Sequence, residues 1–208
     1  MNSATRLLLF DLGGVVIEVD TAGIRALDGH GRSDVELWEI WLTTPVVQQY
    51  ESGKIGNADF ARGVLSAFKS DMEPDVFLRS FTAWTLGFFP GVKELLRELR
   101  KKYKLAFLSN SNPLHYPRFQ AEWGLNDYFD YHFVSHEMGC VKPQAEIFEA
   151  VLKALPYSPQ EILFFDDNRL NIEAALRAGI PAYITRGPDE LRHALIDRKS
   201  TRLNSSHD

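Results

Sequence analysis

Residues 7–16 read LLLFDLGGVV, and this stretch decides the fold. Four apolar residues run into a single carboxylate, Asp11, and two glycines, Gly13 and Gly14, separate it from further apolar residues. A short apolar run closed by a turn signal predicts a buried strand near the middle of a parallel sheet. Asp11 then stands at the strand's C-terminal end, where open α/β sheets gather their binding groups. The glycines let the backbone turn sharply and come close to a ligand. A buried strand followed by an ordinary turn with a solvated Asp is the plain alternative, and the downstream chain decides between them.

From residue 90 onward, helices and strands alternate. Pro90 and Gly91 mark a turn into an amphipathic helix over 92–103, with Leu95, Leu96 and Leu99 on one face. Strands are expected over 104–108, 131–135, 161–165 and 181–184, and helices over 114–123, 144–155, 172–178 and 189–196. Gly179 closes the helix before the last strand. Such alternation implies an α/β protein with a Rossmann-like, doubly wound parallel sheet of about five strands.

Residues 21–84 break the alternation. Ile24, Leu27, Val35, Trp38, Ile40, Trp41 and Leu42 recur at helical spacing, and no strand pattern appears. Pro45 opens another helix, Asn57 is expected to cap a helix over 58–68, and Asp71 or Pro74 begins a further one. The expectation is an all-helical insert of four or five helices after strand one, with Trp38, Trp41 and Trp84 in its core. The predicted organisation is a core of residues 1–18 and 86–196 and an insert of residues 19–85. Residues 197–207, DRKSTRLNSSH, resemble the translation of a common sequencing-library adapter. Residues 197–208 are therefore set aside as a non-native tail.

Composition narrows the function classes. Of 208 residues, 45% are hydrophobic and 25% charged, a globular balance. The net charge of −5 without a Lys/Arg block argues against nucleic-acid binding. No apolar run is long enough for a membrane span, and no signal peptide is apparent. Cys140 is the sole cysteine, which fits a reducing compartment. A cytoplasmic protein, monomeric or weakly dimeric, is expected.

Three polar groups fall at predicted strand ends: Asp11, Ser109-Asn110 and Asp166-Asp167; Lys142 follows strand three. Side chains at these ends converge on one crevice. A carboxylate nucleophile, a hydroxyl with an amide, a lysine and a second acidic pair form a set suited to phosphoryl transfer. Asp11 can attack phosphorus. Asp11 and an acid of the pair can hold Mg²⁺, which takes oxygen ligands. Ser109 and Lys142 can neutralise the transferring oxygens.

The ordered motifs FDLGGVV, LSNSN, VKPQAEIF and ILFFDDNRLNIEAA, spanning about residues 7–195, resemble the haloacid dehalogenase superfamily. The match is to its phosphatase branch, with a small helical cap after strand one. ESGKIGNADF within the insert is similar to sugar-phosphatase-like members, including α-glucose-1-phosphate phosphatases. The resemblance implies Asp11 as nucleophile, with Mg²⁺ held by Asp11, the Gly13 carbonyl and Asp167. It implies phosphate contacts from Ser109, Asn110 and Lys142, and Asp166 behind them orienting a metal-bound water or Lys142. The implied substrate is a small phosphorylated metabolite, a sugar phosphate favoured. A dehalogenase using an ester to Asp11, or a weakly catalytic binding or regulatory protein, are the alternatives. The retained acidic pair and Gly13, where dehalogenases usually carry an aromatic residue, argue against the first.

One departure stands out. Most phosphatases of this kind carry a general acid and base two residues after the nucleophile, and here that residue is Gly13. A backbone carbonyl is retained there, but the carboxyl group, worth about 10²–10⁴ in rate, is lost. Glu18 or Asp20 are weighed as replacements, against capping or solvated roles. Asn171 stands where many relatives carry another acid. His132 with His136 as a zinc pair, and Cys140 as a nucleophile, are weaker candidates. Pro143 is read as fixing the loop that carries Lys142.

Overall fold

The computed structural model describes residues 5–20, 22–28 and 30–204. Its main sheet has five strands, β1 (Leu7–Phe10), β4 (Lys104–Ser109), β5 (Tyr131–Val134), β6 (Ile162–Asp166) and β7 (Ala182–Ile184), in the order β5-β4-β1-β6-β7. Every pairing is parallel, with Phe10 opposite Phe107 on one side and Phe165 on the other. β1 is central and all four of its residues are buried. Alternate side chains enter opposite faces. Leu8 and Phe10 pack with Leu105, Phe107, Leu163 and Phe165 over Val92, Leu96 and Leu191. Leu7 and Leu9 pack with Ala106, Leu108 and Phe164 over Ile147, Phe148, Val151 and Ile172. The first face is covered by α6 (Val92–Arg100) and α11 (Gly187–Asn204), the second by α9 (Ala145–Ala154) and α10 (Arg169–Arg177). A continuous apolar strand is what two covered faces demand.

The sequence reading omits a second sheet. β2 (Ile17–Val19) and β3 (Thr85–Phe88) form an antiparallel ribbon where the chain leaves and re-enters the core. Each strand is only three or four residues long, and β3 contains Gly87 at φ 117°, so no alternating pattern announces it.

Five helices lie between the ribbon strands: α1 (Ala22–Arg25), α2 (Asp34–Thr43), α3 (Pro45–Glu51), α4 (Asn57–Phe68) and α5 (Pro74–Thr82). They enclose a cluster of their own, with Trp41, Tyr50, Phe60, Phe68, Phe77, Phe81 and Trp84 buried and Trp38 packed against them. Tyr50 stacks on Phe60 at 3.9 Å. Each such side chain contributes about 1.5–3 kcal/mol on burial, so the insert has an apolar centre independent of the sheet. Pro45 and Pro74 open α3 and α5 as expected. Asn57 does not cap α4. Gly56 holds that position, and Asn57 instead accepts the Tyr50 hydroxyl at 2.7 Å, a partner seven residues back. Thr21, the start of the predicted insert, lies outside the described residues. The last helix is longer than expected: its backbone runs through the segment set aside as a tail as far as Asn204, and residues 205–208 lie outside the description. Two further helices frame the loops of the site, α7 (Tyr116–Ala121) and the single turn α8 (Ser135–Met138).

Candidate active site

Asp11 follows β1 directly. Its N–H donates to the Phe165 carbonyl of β6 at 2.8 Å, which carries strand pairing one residue further and sets the direction of the side chain. Asp11 Oδ1 accepts the Leu12 N–H at 2.7 Å and the Lys142 ammonium at 2.8 Å. The same ammonium bonds Asp166 Oδ2 at 2.7 Å, with the side chains of Lys142 and Asp166 1% and 0% exposed. Lys142 is thus a buried bridge between two strand ends.

Its position is imposed from both sides. The Asn110 side chain accepts the Lys142 N–H at 2.8 Å and donates to the Lys142 carbonyl at 3.0 Å. Asn110, expected to contact phosphate, therefore holds the lysine loop with its side-chain amide. Ser109, at the end of β4, is buried, and its hydroxyl reaches only the Asn110 carbonyl at 3.4 Å. Asp166 is surrounded by donors: besides Lys142, the Asn168 N–H at 2.8 Å and the Asn171 amide at 3.0 Å from both oxygens. Asn171 is therefore an anchor for Asp166.

One carboxylate oxygen from each of Asp11, Asp166 and Asp167 lies within 4.8 Å of the others. Burial pushes Asp11 up to about 8; Lys142 pulls it down, and Asp166 and Asp167 push it further up. Burial also raises Asp167, with Asp166 adding to the effect. Burial opposes the Lys142 ammonium, but Asp11 and Asp166 outweigh it and hold its pKa above the ordinary lysine range. Three carboxyl groups face the Lys142 ammonium, with the Arg186 guanidinium also acting on Asp167, so acid still exceeds base in the crevice. A hard divalent cation with oxygen ligands fits that excess. The backbone makes room for it: Gly14 sits at φ 75°, and a Cβ there would lie 2.4 Å from Asp167 Oδ2. Gly13 is different. Its φ is outside the left-handed region, a Cβ would meet only Val19 Cγ2 at 3.5 Å, and no described group bonds its carbonyl.

The remaining candidates separate cleanly. Glu18 is exposed on the ribbon, and Asp20 accepts the Ala22 N–H at 2.8 Å, a turn-capping role. His132 stacks on Phe107 and bonds the Phe129 carbonyl, while His136 lies edge-on to Tyr116. Among the described residues the aspartate trio is the cluster with metal-ligand spacing, and neither histidine joins it. Burial raises the Cys140 thiol, which disfavours a thiolate.

Two residues escaped the sequence reading. Ser135 is fully buried; its hydroxyl accepts the Ser111 N–H at 2.9 Å and contacts the Glu51 carbonyl at 2.6 Å. Glu51 comes from the insert, and Lys142 is the charged group acting on its carboxyl. Glu51 lies inside ESGKIGNADF, but nothing local distinguishes it from any helix-end acid.

Comparison with known proteins is consistent with this geometry. Residues 5–179 match the haloacid dehalogenase-like hydrolases. A D-ribitol-5-phosphate phosphatase of Bacteroides thetaiotaomicron is 32% identical over 190 residues, covering 85% of this chain and 89% of that one. An (S)-2-haloacid dehalogenase of Pseudomonas sp. strain YL is 27% identical over 191 residues, covering 84% and 79%. A HAD-family enzyme of Bacteroides thetaiotaomicron, solved in complex with magnesium and inorganic phosphate, superposes with a TM-score of 0.73 at 26% identity, covering 92% of this chain and 99% of that one. The chain belongs to the haloacid dehalogenase-like hydrolase family.

Proposed function

We propose that this hydrolase is a Mg²⁺-dependent phosphatase that hydrolyses small phosphorylated metabolites, sugar or sugar-alcohol phosphates favoured, through an aspartyl-phosphate on Asp11. The observation that carries the reading is the crevice itself: a buried carboxylate held by one oxygen, a lysine locked beside it, and acid in excess of base. The likeness to a D-ribitol-5-phosphate phosphatase and to a structure holding magnesium and phosphate supports it.

Asp11, the Gly13 carbonyl and Asp167 would hold the metal; when bound it would neutralise the phosphate oxygens. Asp11 Oδ1 is fixed by Leu12 and Lys142, which leaves the second oxygen to attack phosphorus. The Lys142 ammonium lies against that carboxylate and can offset charge on the transferring group. Ser109 and the Asn110 N–H stand at the neighbouring strand end as phosphate donors, and Asp166 keeps Lys142 in place. The helices between β2 and β3, with residues 19–85 as their span, act in this reading as a cap that excludes water and selects the substrate, Lys54 on its inner loop included. No described helix is long and apolar enough to cross a membrane.

The likeness to a haloacid dehalogenase keeps a second reaction in view, in which an ester forms on Asp11. It does not account for the metal-ligand spacing of Asp11, Asp166 and Asp167. A panel of sugar phosphates, sugar-alcohol phosphates and 2-haloacids, assayed for phosphate and halide release with Mg²⁺ and with chelator, separates the two. Chelator-sensitive phosphate release supports the proposal; halide release indifferent to chelator overturns it.

A further inference from the structure

We propose that Glu51, delivered by the helical insert, is the catalytic acid and base that Gly13 leaves missing beside the nucleophile. The inference rests on the phosphatase reading and deepens it. Its first support is position. Glu51 ends α3, and its carbonyl is tied by the buried Ser135 hydroxyl to the loop that follows β4, through Ser111. The next residues are seated as tightly: at Gly53, φ 70°, a Cβ would fall 2.4 Å from the His136 carbonyl. The end of α3 is therefore fixed over the strand ends rather than carried on a loose loop.

The second support is chemical. The Glu51 carboxyl is half-buried and makes no hydrogen bond to any described residue, although Lys142 is close enough to act on it. A long, partly buried acidic side chain with no hydrogen-bond partner among the described residues, within electrostatic reach of Lys142, is expensive to keep. The elements packed against α3 carry other titratable groups: His136 and Glu137 on α8, Asp59 paired with Arg62 on α4, and Glu39 on α2. None of these acts on the Glu51 carboxyl. Burial pushes it up to about 7 against the pull of Lys142, the range in which one group can give a proton and then take one. The other acids are committed elsewhere: Asp166 to Lys142 and Asn171, Asp20 to Ala22, and Glu18 to solvent.

The steps balance. Asp11 attacks phosphorus, the bond from phosphorus to the leaving oxygen breaks, and that oxygen keeps the electron pair and takes the proton of Glu51. The Glu51 carboxylate then takes a proton from water as the water oxygen attacks the phosphorus of the aspartyl-phosphate. The bond to Asp11 breaks, and inorganic phosphate and free Asp11 are restored. Catalysis of the first step then requires the insert to be seated on the core, because the acid is not on the core.

The test is the leaving-group dependence of kcat in Glu51→Gln, for an alkyl phosphate (ribitol 5-phosphate) and an aryl phosphate (p-nitrophenyl phosphate) in one preparation with saturating Mg²⁺. The alkyl reaction needs protonation and the aryl reaction does not. The expected result is a fall in the alkyl-to-aryl ratio of about 10²-fold or more, the range of general acid–base catalysis. The ratio does not depend on how much of the variant is folded. An unchanged ratio overturns the role of Glu51 while leaving the phosphatase reading intact. Absence of Mg²⁺-dependent phosphate release from both compounds and from the sugar-phosphate panel in the wild type would instead remove that reading.

Discussion

Replacing Lys142 with Met tests how the crevice is held together. The lysine stem is retained in volume, but the ammonium that bridges Asp11 at 2.8 Å and Asp166 at 2.7 Å is gone. Asp166 is fully buried and cannot recruit water to replace it. Removing one partner of a buried ion pair costs about 3–5 kcal/mol, because the remaining charge is stranded. The Asn168 N–H and the Asn171 amide still reach Asp166, so the lower end, about 3 kcal/mol, is expected here. For a chain of this size each kcal/mol moves Tm by about 2–4 °C, so Lys142→Met should melt about 6–12 °C below the wild type in chelator. The double variant Lys142→Met/Asp166→Asn removes the stranded charge and should recover a large part of that loss while remaining inactive. Calorimetric melts of the three proteins decide the matter. A single variant that melts with the wild type, or a double variant no more stable than the single, would refute the idea that a charged buried bridge organises the site.

Other consequences follow from neighbouring residues. Gly14→Ala should lower both stability and Mg²⁺ affinity: its Cβ would meet Asp167 Oδ2 at 2.4 Å in a backbone conformation that costs about 1–3 kcal/mol for a side chain. Gly13→Asp should fold normally, since ordinary space is available there; melts with Mg²⁺ titrations distinguish the pair, and equal behaviour would contradict the geometry. His115 donates to the Phe81 carbonyl and is held at about 4 by burial, below the ordinary value of 6.5. A depressed histidine gives its full stability above pH 6.5 and loses it as pH falls toward 4, so stability should drop by about 2 kcal/mol between pH 7 and pH 5. His115→Asn should lack that component, and identical acid profiles for the two proteins would rule it out.

The parts that were legible in the sequence are those with a local pattern. LLLFDLGGVV fixes β1 and the residue after it because a strand buried on both faces must be apolar throughout, and the break in that run is Asp11. The insert helices betray themselves by spacing and by Pro45 and Pro74. What stayed hidden depends on partners far along the chain. Asn110 clamps a lysine 32 residues away, and Ser135 reaches a carbonyl 84 residues back. Neither bond leaves a period or a motif in its neighbourhood. The ribbon of β2 and β3 is set by the same kind of distant pairing, Ile17 with Phe88. Asn57 looked like a cap because caps are a local habit of asparagine, and Tyr50 claimed its side chain instead.

In the proposed reaction Asp11 supplies the carboxylate oxygen that bonds phosphorus. The most direct measurement is Mg²⁺-dependent phosphate release by Asp11→Asn beside the wild type, on whichever phosphate monoester the panel favours, with melts recorded for both. The amide is nearly isosteric and keeps the Leu12 contact, so the variant should fold and yet show no turnover above background. Turnover by folded Asp11→Asn at the wild-type rate would contradict the mechanism built on that carboxylate.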